Sequence, residues 1–404
     1  MNATRGSSSS RLLPIAGGAP AQGPSRSRSR RSSHFLHWLP RAHWGALGPI
    51  LLALCAVPLA VDAAPPAAKF PIRFAVTDLG IPFGAIFFNP TGLNNRGQVV
   101  GVAYYPASPM GGLTSRAAQW SHGVYTDLGA LFPGVESSAQ DINDRGQVVV
   151  TTGGDFLTPV RSFVYTPGAT PLVTPITDDR LTFLKALAIN DRGVVAGIAG
   201  PPKPTSPDGE TPDFRDTLAF VYENGVLTRF GSRFVEGISE AHSLNNVGVV
   251  VGDDFGCCGP GGGVIFTGGQ ILALDFLPRA INNRGQIAGW APTPTSHSHA
   301  FLFRHGVTRD LGTFEGDVES FATDLNDFGQ VVGVSSILDR EQDRAFLYSH
   351  GAMFDLNDFV PRHSGWYLRV AKRINDRGQI VGYGLYRGEE RSFLLTPRQR
   401  IQSD

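Results

Sequence analysis

Short runs of β-branched and aromatic residues, separated by turn residues, recur along most of this chain of 404 residues. The clearest phrase reads LNNRGQVVG at 93–101, and close variants of it return six more times. The copies are led by Asn94, Asn143, Asn190, Asn245, Asn282, Asn326 and Asn375, which lie 37 to 55 residues apart. A recurring period in this range indicates an array of repeated structural units.

Each unit reads as four short strands, a to d. Strand a ends at the lead asparagine, b is the run Gln-Val-Val-Gly, c is a run such as AFLY at 345–348, and d ends in Asp-Leu-Gly, as at 310–312. Residues of these types favour strands. Asn, Asp and Gly form the a–b link, and His-Gly often forms the c–d link. We therefore interpret His122, His305 and His350 as turn residues with positive φ, not as ligands.

Four strands in each of seven units predict an all-β fold, a β-propeller of about seven four-stranded blades over residues 71–398. The last unit stops after its c strand at 391–395, whereas residues 74–80 carry a d phrase without a, b and c. Pairing of the N- and C-terminal strands would complete one blade and remove the exposed sheet edges. The alternative, an open β-solenoid, would need polar capping units, and none is apparent.

The N-terminal 64 residues predict a secretory signal peptide. A long basic n-region rich in Ser and Arg precedes an uncharged apolar run at 45–61, and Ala63 and Ala64 offer a small-residue cleavage site. An uncleaved membrane anchor is the alternative, although Pro49 and Pro58 make the run marginal for a span. We expect a linker at 65–70, a tail at 399–404 and no membrane span in the mature chain, which would be periplasmic, cell-surface or extracellular.

Charge and composition exclude several classes of protein. Residues 1–64 hold seven of the 35 basic residues and one of the 35 acidic residues, which leaves 28 and 34 in the mature chain. A net negative chain with few clustered bases argues against nucleic acid as a partner. Three Cys are too few for a disulfide scaffold. Because nucleotide, hydrolase and zinc-protease motifs are missing from the sequence, we expect no cofactor.

The wording of the repeats also resembles a known family. DLGT at 310–313, Ser320-x-Ala322, LNDFGQVVG at 325–333 and HAF at 299–301 are similar to the bacterial HAF-type extracellular repeat. The resemblance covers nearly the whole mature chain and implies an exported bacterial repeat protein without an established reaction. The chain departs from the pattern, since one unit alone has the full His-Ala-Phe triplet and Arg replaces its His in four others, at Arg116, Arg161, Arg344 and Arg391.

Any binding site is expected on the face formed by the b–c and d–a loops, because these loops vary whereas the a–b and c–d turns are nearly constant. Glu136 and Glu319 occupy matching positions there and could bind sugar hydroxyls or form acid/base pairs, or be merely solvated. His297 and His299 could share a metal ion, although no third ligand lies near them in the sequence.

Aromatic and Cys residues give further candidates. Trp290 and Trp366 could offer flat faces to a sugar or a partner, or could pack between blades. Cys257 and Cys258 would form a vicinal disulfide in an oxidising compartment; a free thiol pair or a metal site are the alternatives.

The sequence therefore favours a monomeric, non-enzymatic module that binds a glycan or a protein. A carbohydrate-active enzyme that uses acidic residues on the variable-loop face is one alternative. A structural or matrix component that acts by assembly is the other. The fold by itself does not decide among them.

Overall fold

The computed structural model describes residues 73–82, 84–106, 112–153, 159–200, 217–234, 237–256, 261–337 and 342–398. The predicted signal peptide at 1–64, the linker at 65–70, the tail at 399–404 and the pair Cys257 and Cys258 lie outside these residues. Within the described part of the chain, no helix has the length and apolar character needed to cross a membrane.

The repeats form seven four-stranded antiparallel sheets, arranged as the blades of a ring. Two short 3-10 turns, Gly129–Leu131 and Leu356–Phe359, follow the d strands of blades 1 and 6. The strands, grouped by blade, are Phe87–Leu93, Val99–Pro106, Leu113–Ser121 and Val124–Asp127 (β2–β5, blade 1); Ser137–Ile142, Val148–Thr152, Arg161–Thr166 and Leu172–Ile176 (β6–β9, blade 2); Phe183–Ile189, Val195–Gly200, Leu218–Glu223 and Val226–Arg229 (β10–β13, blade 3); Ile238–Leu244, Val250–Phe255, Gly262–Thr267 and Gln270–Ala273 (β14–β17, blade 4); Leu277–Ile281, Ile287–Pro292, Ser298–Arg304 and Val307–Asp310 (β18–β21, blade 5); Glu319–Leu325, Val331–Ser336, Arg344–Ser349 and Ala352–Asp355 (β22–β25, blade 6); Trp366–Ile374, Ile380–Tyr386, Glu389–Arg398 and, from the other end of the chain, Arg73–Asp78 (β26–β28 and β1, blade 7).

The ring closes as the sequence predicts. Strand β1 pairs antiparallel with β28, with Phe74 opposite Pro397 and Asp78 opposite Phe393. Blade 7 therefore combines three C-terminal strands with one N-terminal strand, and the β-propeller prediction is confirmed.

The core lies between neighbouring blades, since each sheet is covered on both faces. Every residue of β7 and β11 is buried, which explains why the b strands read as continuous apolar runs and do not alternate. Between blades 7 and 1, for example, Phe88 and Val99 pack with Val381 and Leu394.

The predicted turns are also confirmed. His122, His305 and His350 have φ between 51° and 53°, and the a–b glycines, such as Gly193 at 85°, have positive φ as well. Because L-residues rarely adopt this conformation, the repeated Gly in the a–b turn is required by the backbone conformation.

A closed ring of hydrogen bonds joins the seven lead asparagines. Each side-chain Oδ1 accepts the backbone N–H groups two and four residues later; for Asn190 these come from Arg192 and Val194, both at 3.0 Å. Each Nδ2 donates to the backbone carbonyl of the next lead asparagine, at 2.8 to 3.2 Å. The last link, from Asn375 to Asn94, returns to the first blade at 2.9 Å.

A second ring lies beside the first, one residue later in each turn. The backbone N–H of each member donates to the Oδ1 of the next, at 2.7 to 2.9 Å. Only Asn or Asp occurs here, because the position needs a short side chain with an acceptor oxygen. We call the two rings the axial collar; the members of the second are Asn95, Asp144, Asp191, Asn246, Asn283, Asp327 and Asp376.

Asn190→Ala should lower the free energy of unfolding by about 2–4 kcal/mol. The substitution leaves the N–H groups of Arg192 and Val194 and the carbonyl of Asn245 without the hydrogen bonds that Asn190 makes to them. Urea titration followed by fluorescence measures this. Arg145→Ala, on an exposed part of an equivalent turn, should cost less than about 0.5 kcal/mol. Similar losses for the two variants would show that the collar does not stabilise the ring.

Candidate functional site

The collar surrounds an axial cavity of about 170 Å³ on the face of the a–b turns. Its carboxylates are already engaged: both side-chain oxygens of Asp144 accept from Asn95, and both oxygens of Asp327 accept from Asn283. Asp191 and Asp376 likewise use both oxygens within the collar. Among the described residues, no group of three or more His, Cys, Asp or Glu is placed to hold a metal ion.

Two further aspartates precede the collar on the inner strands. Asp141 accepts the N–H of Ile189 in the next blade at 3.0 Å, and Asp324 accepts that of Ile374 at 2.9 Å. Burial raises the pKa of each carboxyl to about 6, and the guanidinium of Arg373 acts in the opposite direction. Ser243 makes the matching bond in blade 4, to the N–H of Ile281 at 3.3 Å. These side chains therefore link blades.

The His-Ala-Phe triplet and the Asp-Leu-Gly phrase meet in space. His299 Nδ1 lies 2.9 Å from the carboxylate of Asp310 in the same blade. Arg116 pairs with Asp127 at 3.2 Å in blade 1, in the same manner. His299, which the sequence offered as a candidate binding residue, therefore makes the same contact with the Asp of its d strand as Arg116 makes in blade 1.

The second triplet residue links neighbouring blades. The N–H of Ala300 donates to Ser320 Oγ at 2.8 Å, and that hydroxyl donates to the carbonyl of Gly312 at 2.6 Å. Ala117 and Ser137 make the equivalent contact at 3.1 Å. Recurrence of these residues therefore has a structural cause.

The two candidate tryptophans lie in aromatic clusters. Trp290 of blade 5 meets Phe321 of blade 6 edge to face, with ring centroids 5.4 Å apart. The centroids of Trp366 and Tyr386 are 5.1 Å apart, and Phe393 also packs on Trp366. Both tryptophans are half-buried, so each retains some exposed surface.

The two candidate glutamates are not neighbours. Glu136 directly precedes β6 in blade 2, and Glu319 is the first residue of β22 in blade 6. Blades 1 and 7 separate them on the shorter path around the ring. Their role in binding stays a prediction.

The acidic pair before Cys257 holds other segments in place. Asp253 Oδ2 is 2.7 Å from His242 Nε2 and 3.0 Å from Arg279 Nη1. Asp254 accepts bonds from Ser232 Oγ at 2.6 Å and Arg233 Nε at 2.9 Å. The Asp254 contacts hold the loop between blades 3 and 4, and the Asp253 contacts join blade 4 to β18 of blade 5. The sequence offered no signal for any of these partners.

An open groove of about 730 Å³ lies between blades 5 and 6. We call it the 5/6 groove; Arg304, Val307 and Arg309 contribute from blade 5, and Phe328 and His350 from blade 6. Phe328 is 64% exposed and Val307 is 49% exposed. The groove lies on the face of the a–b and c–d turns. This face is opposite the variable b–c and d–a loops, where the sequence predicts a binding site.

The groove contains one departure from the repeat. Phe328 stands where five of the other six a–b turns carry Arg. His350, by contrast, occupies a position that is also His in blades 1 and 5, at His122 and His305. The Phe at this a–b turn position was the feature of the sequence that could have indicated the groove.

No protein-family model matches the chain, and no curated protein matches it. In structure it is similar to YCF48 bound to D1 peptide, with a TM-score of 0.50 and 10% identity, over 85% of this chain and 100% of that one. The β-propeller domain of the trilobed protease from Pyrococcus furiosus gives 0.49 and 9%, over 78% and 97%. The six-bladed Aleuria aurantia lectin gives 0.32 and 10%, over 79% and 97%. At such identities the likeness shows the propeller fold alone.

The pKa shifts of Asp141 and Asp324 predict an unusual pH profile. The pKa of each carboxyl rises from 3.8 to about 6 on folding. Between these two pH values the folded chain therefore binds a proton that the unfolded chain does not bind. The free energy of unfolding should therefore increase as pH falls from about 7 to 4, by about 1–3 kcal/mol for each group.

Asp141→Ser, which places there the residue that blade 4 has, should remove the share of this increase due to Asp141. Chemical denaturation at a series of pH values measures the difference. Identical profiles for the wild type and the variant would contradict the assignment.

Proposed function

We propose that the chain is an exported binding module whose ligand is a segment of another protein, held in the 5/6 groove. The observation that carries the proposal is the groove itself, in which Phe328 and Val307 expose large apolar side chains beside cationic ones. Covering apolar surface gains about 25 cal/mol per Å², so such a surface favours a partner that buries it.

The groove is built on rigid turns. The N–H of Phe328 donates to Asn326 Oδ1 at 3.1 Å, and the N–H of Gly329 donates to the carbonyl of Asn326 at 3.0 Å. Asn326 is a member of the collar, so the position of Phe328 is tied to the whole ring. Little conformational entropy would be lost from this wall on binding, which supports a binding role.

The likeness to YCF48 is consistent with a protein ligand, because that propeller is seen bound to the D1 peptide. The expected export and the HAF-type resemblance of the repeats favour a position outside the cytoplasm for such a module. Its partner would then be another exported or surface-exposed protein.

The groove can be tested with a phage-displayed library of random twelve-residue peptides, selected on the purified protein. We expect enriched peptides whose binding is lost in the double variant Phe328→Ser, Val307→Ser, because the substitutions remove the exposed apolar surface. Val247→Ser is the matched control, since Val247 occupies the same turn position in blade 4 and is 71% exposed. Peptides that bind the double variant as well as the wild type would contradict the proposal.

Export can be tested separately by fusing residues 1–64 to a reporter enzyme that is active only outside the cytoplasm of a bacterial host. The fusion should be active and processed. Leu51→Arg together with Leu52→Arg should abolish activity, because it places two charges in the apolar run. Full activity of that variant would exclude a signal peptide at this position.

A further inference from the structure

We infer that the 5/6 groove selects an acidic segment, in which carboxylate side chains flank one large apolar side chain. The inference rests on the proposed function and names the chemistry of its partner.

The positive charges belong to one face of one hairpin. In the β20–β21 ladder Arg304 lies opposite Val307, and Leu302 lies opposite Arg309. Since side chains alternate along a strand, these four residues point to the same side of the sheet, and all four line the groove. The two arginines therefore flank an apolar strip of Val307 and Leu302.

Neither arginine is neutralised within the described residues: no ion pair is formed by Arg304 or Arg309. A third cation, the guanidinium of Arg284, lies 5.8 Å from the ring centroid of Phe328 at the other wall.

The carboxylates close to the groove are already bonded. Asp327, next to Phe328, accepts from the backbone and the side chain of Asn283. Asp310, next to Arg309, pairs with His299. The groove therefore presents uncompensated positive charge to a ligand.

This charge is a property of the 5/6 groove and not of the repeat. In blade 3 the residue matching Arg304 is Glu223, which pairs with Arg192 at 2.6 Å. The residue matching Arg309 is Thr228. Val226 matches Val307 and is also exposed, so blade 3 shares the apolar feature without the cationic one.

Guanidinium groups bind carboxylates through paired N–H···O bonds, and the apolar strip between them suits one large side chain. In an extended segment, residues two apart share a face and lie about 7 Å apart. The expected occupant is thus an extended stretch with Glu or Asp two residues to either side of an apolar residue.

The probes are three synthetic ten-residue peptides with a central Phe, flanked at both second neighbours by Glu, Gln or Lys. Binding to the purified protein is measured by fluorescence anisotropy at 50 and 500 mM salt. We expect the Gln peptide to bind roughly tenfold more weakly than the Glu peptide, and the Lys peptide more weakly still. High salt should weaken the Glu peptide most.

Two sets of variants separate charge from apolar contact. Arg304→Glu with Arg309→Glu should remove the preference for Glu over Gln, because it removes the positive charges that face the carboxylates. Arg145→Glu with Arg377→Glu, on turns of blades 2 and 7, is the matched control and should change nothing. Phe328→Ser should weaken all three peptides, and unchanged thermal midpoints confirm that each variant is folded.

The outcomes distinguish the two proposals. Equal binding of all three peptides, lost in Phe328→Ser, would overturn the acidic preference and leave the protein-binding function standing. Failure of every peptide to bind would count against both. Binding of polygalacturonate that depends on Arg304 and Arg309, without peptide binding, would assign the charge to a glycan and overturn the inference.

Discussion

The hydrogen bond from the amide of one lead asparagine to the main chain of the next is the interaction on which the ring depends. It occurs at all seven junctions, and the final one joins residues 281 positions apart in the chain. Each asparagine also organises its own turn by accepting two backbone N–H groups, as Asn190 does. One side chain therefore shapes a turn and joins two blades, and no other residue type offers both the acceptor and the donor at this length.

The remaining repeat residues serve the same end farther from the axis. The Ser of one blade receives the Ala N–H of the preceding blade, and the His or Arg of the triplet pairs with the Asp of the d strand, as Ser320 and His299 show. The residues that recur in this chain are therefore those whose contacts build the ring. The repeat is broken at Phe328, which lines the open groove between blades 5 and 6.

The distribution of charge follows this division. Acidic groups gather at the axis. There burial raises the pKa of Asp141 and Asp324 to about 6, and the guanidinium of Arg373 acts in the opposite direction. Arginines occupy the third position of most a–b turns, outside the collar, and at the 5/6 groove Arg304 and Arg309 add to them. Arginines therefore surround an acidic centre on the turn face, and at the 5/6 groove they adjoin exposed apolar side chains.

The sequence by itself determined the number of blades, the order of strands within each blade, the positive φ at residues such as His350, and the completion of blade 7 by the N-terminal strand. These are local properties, because a short apolar run, a turn and an incomplete repeat can each be recognised from the sequence of one unit. The collar, the interblade role of Asp141 and the opening between blades 5 and 6 were decided only by the tertiary structure. Each of these arises where side chains from different units meet, and distances between units depend on the curvature of the whole ring, which no single repeat specifies.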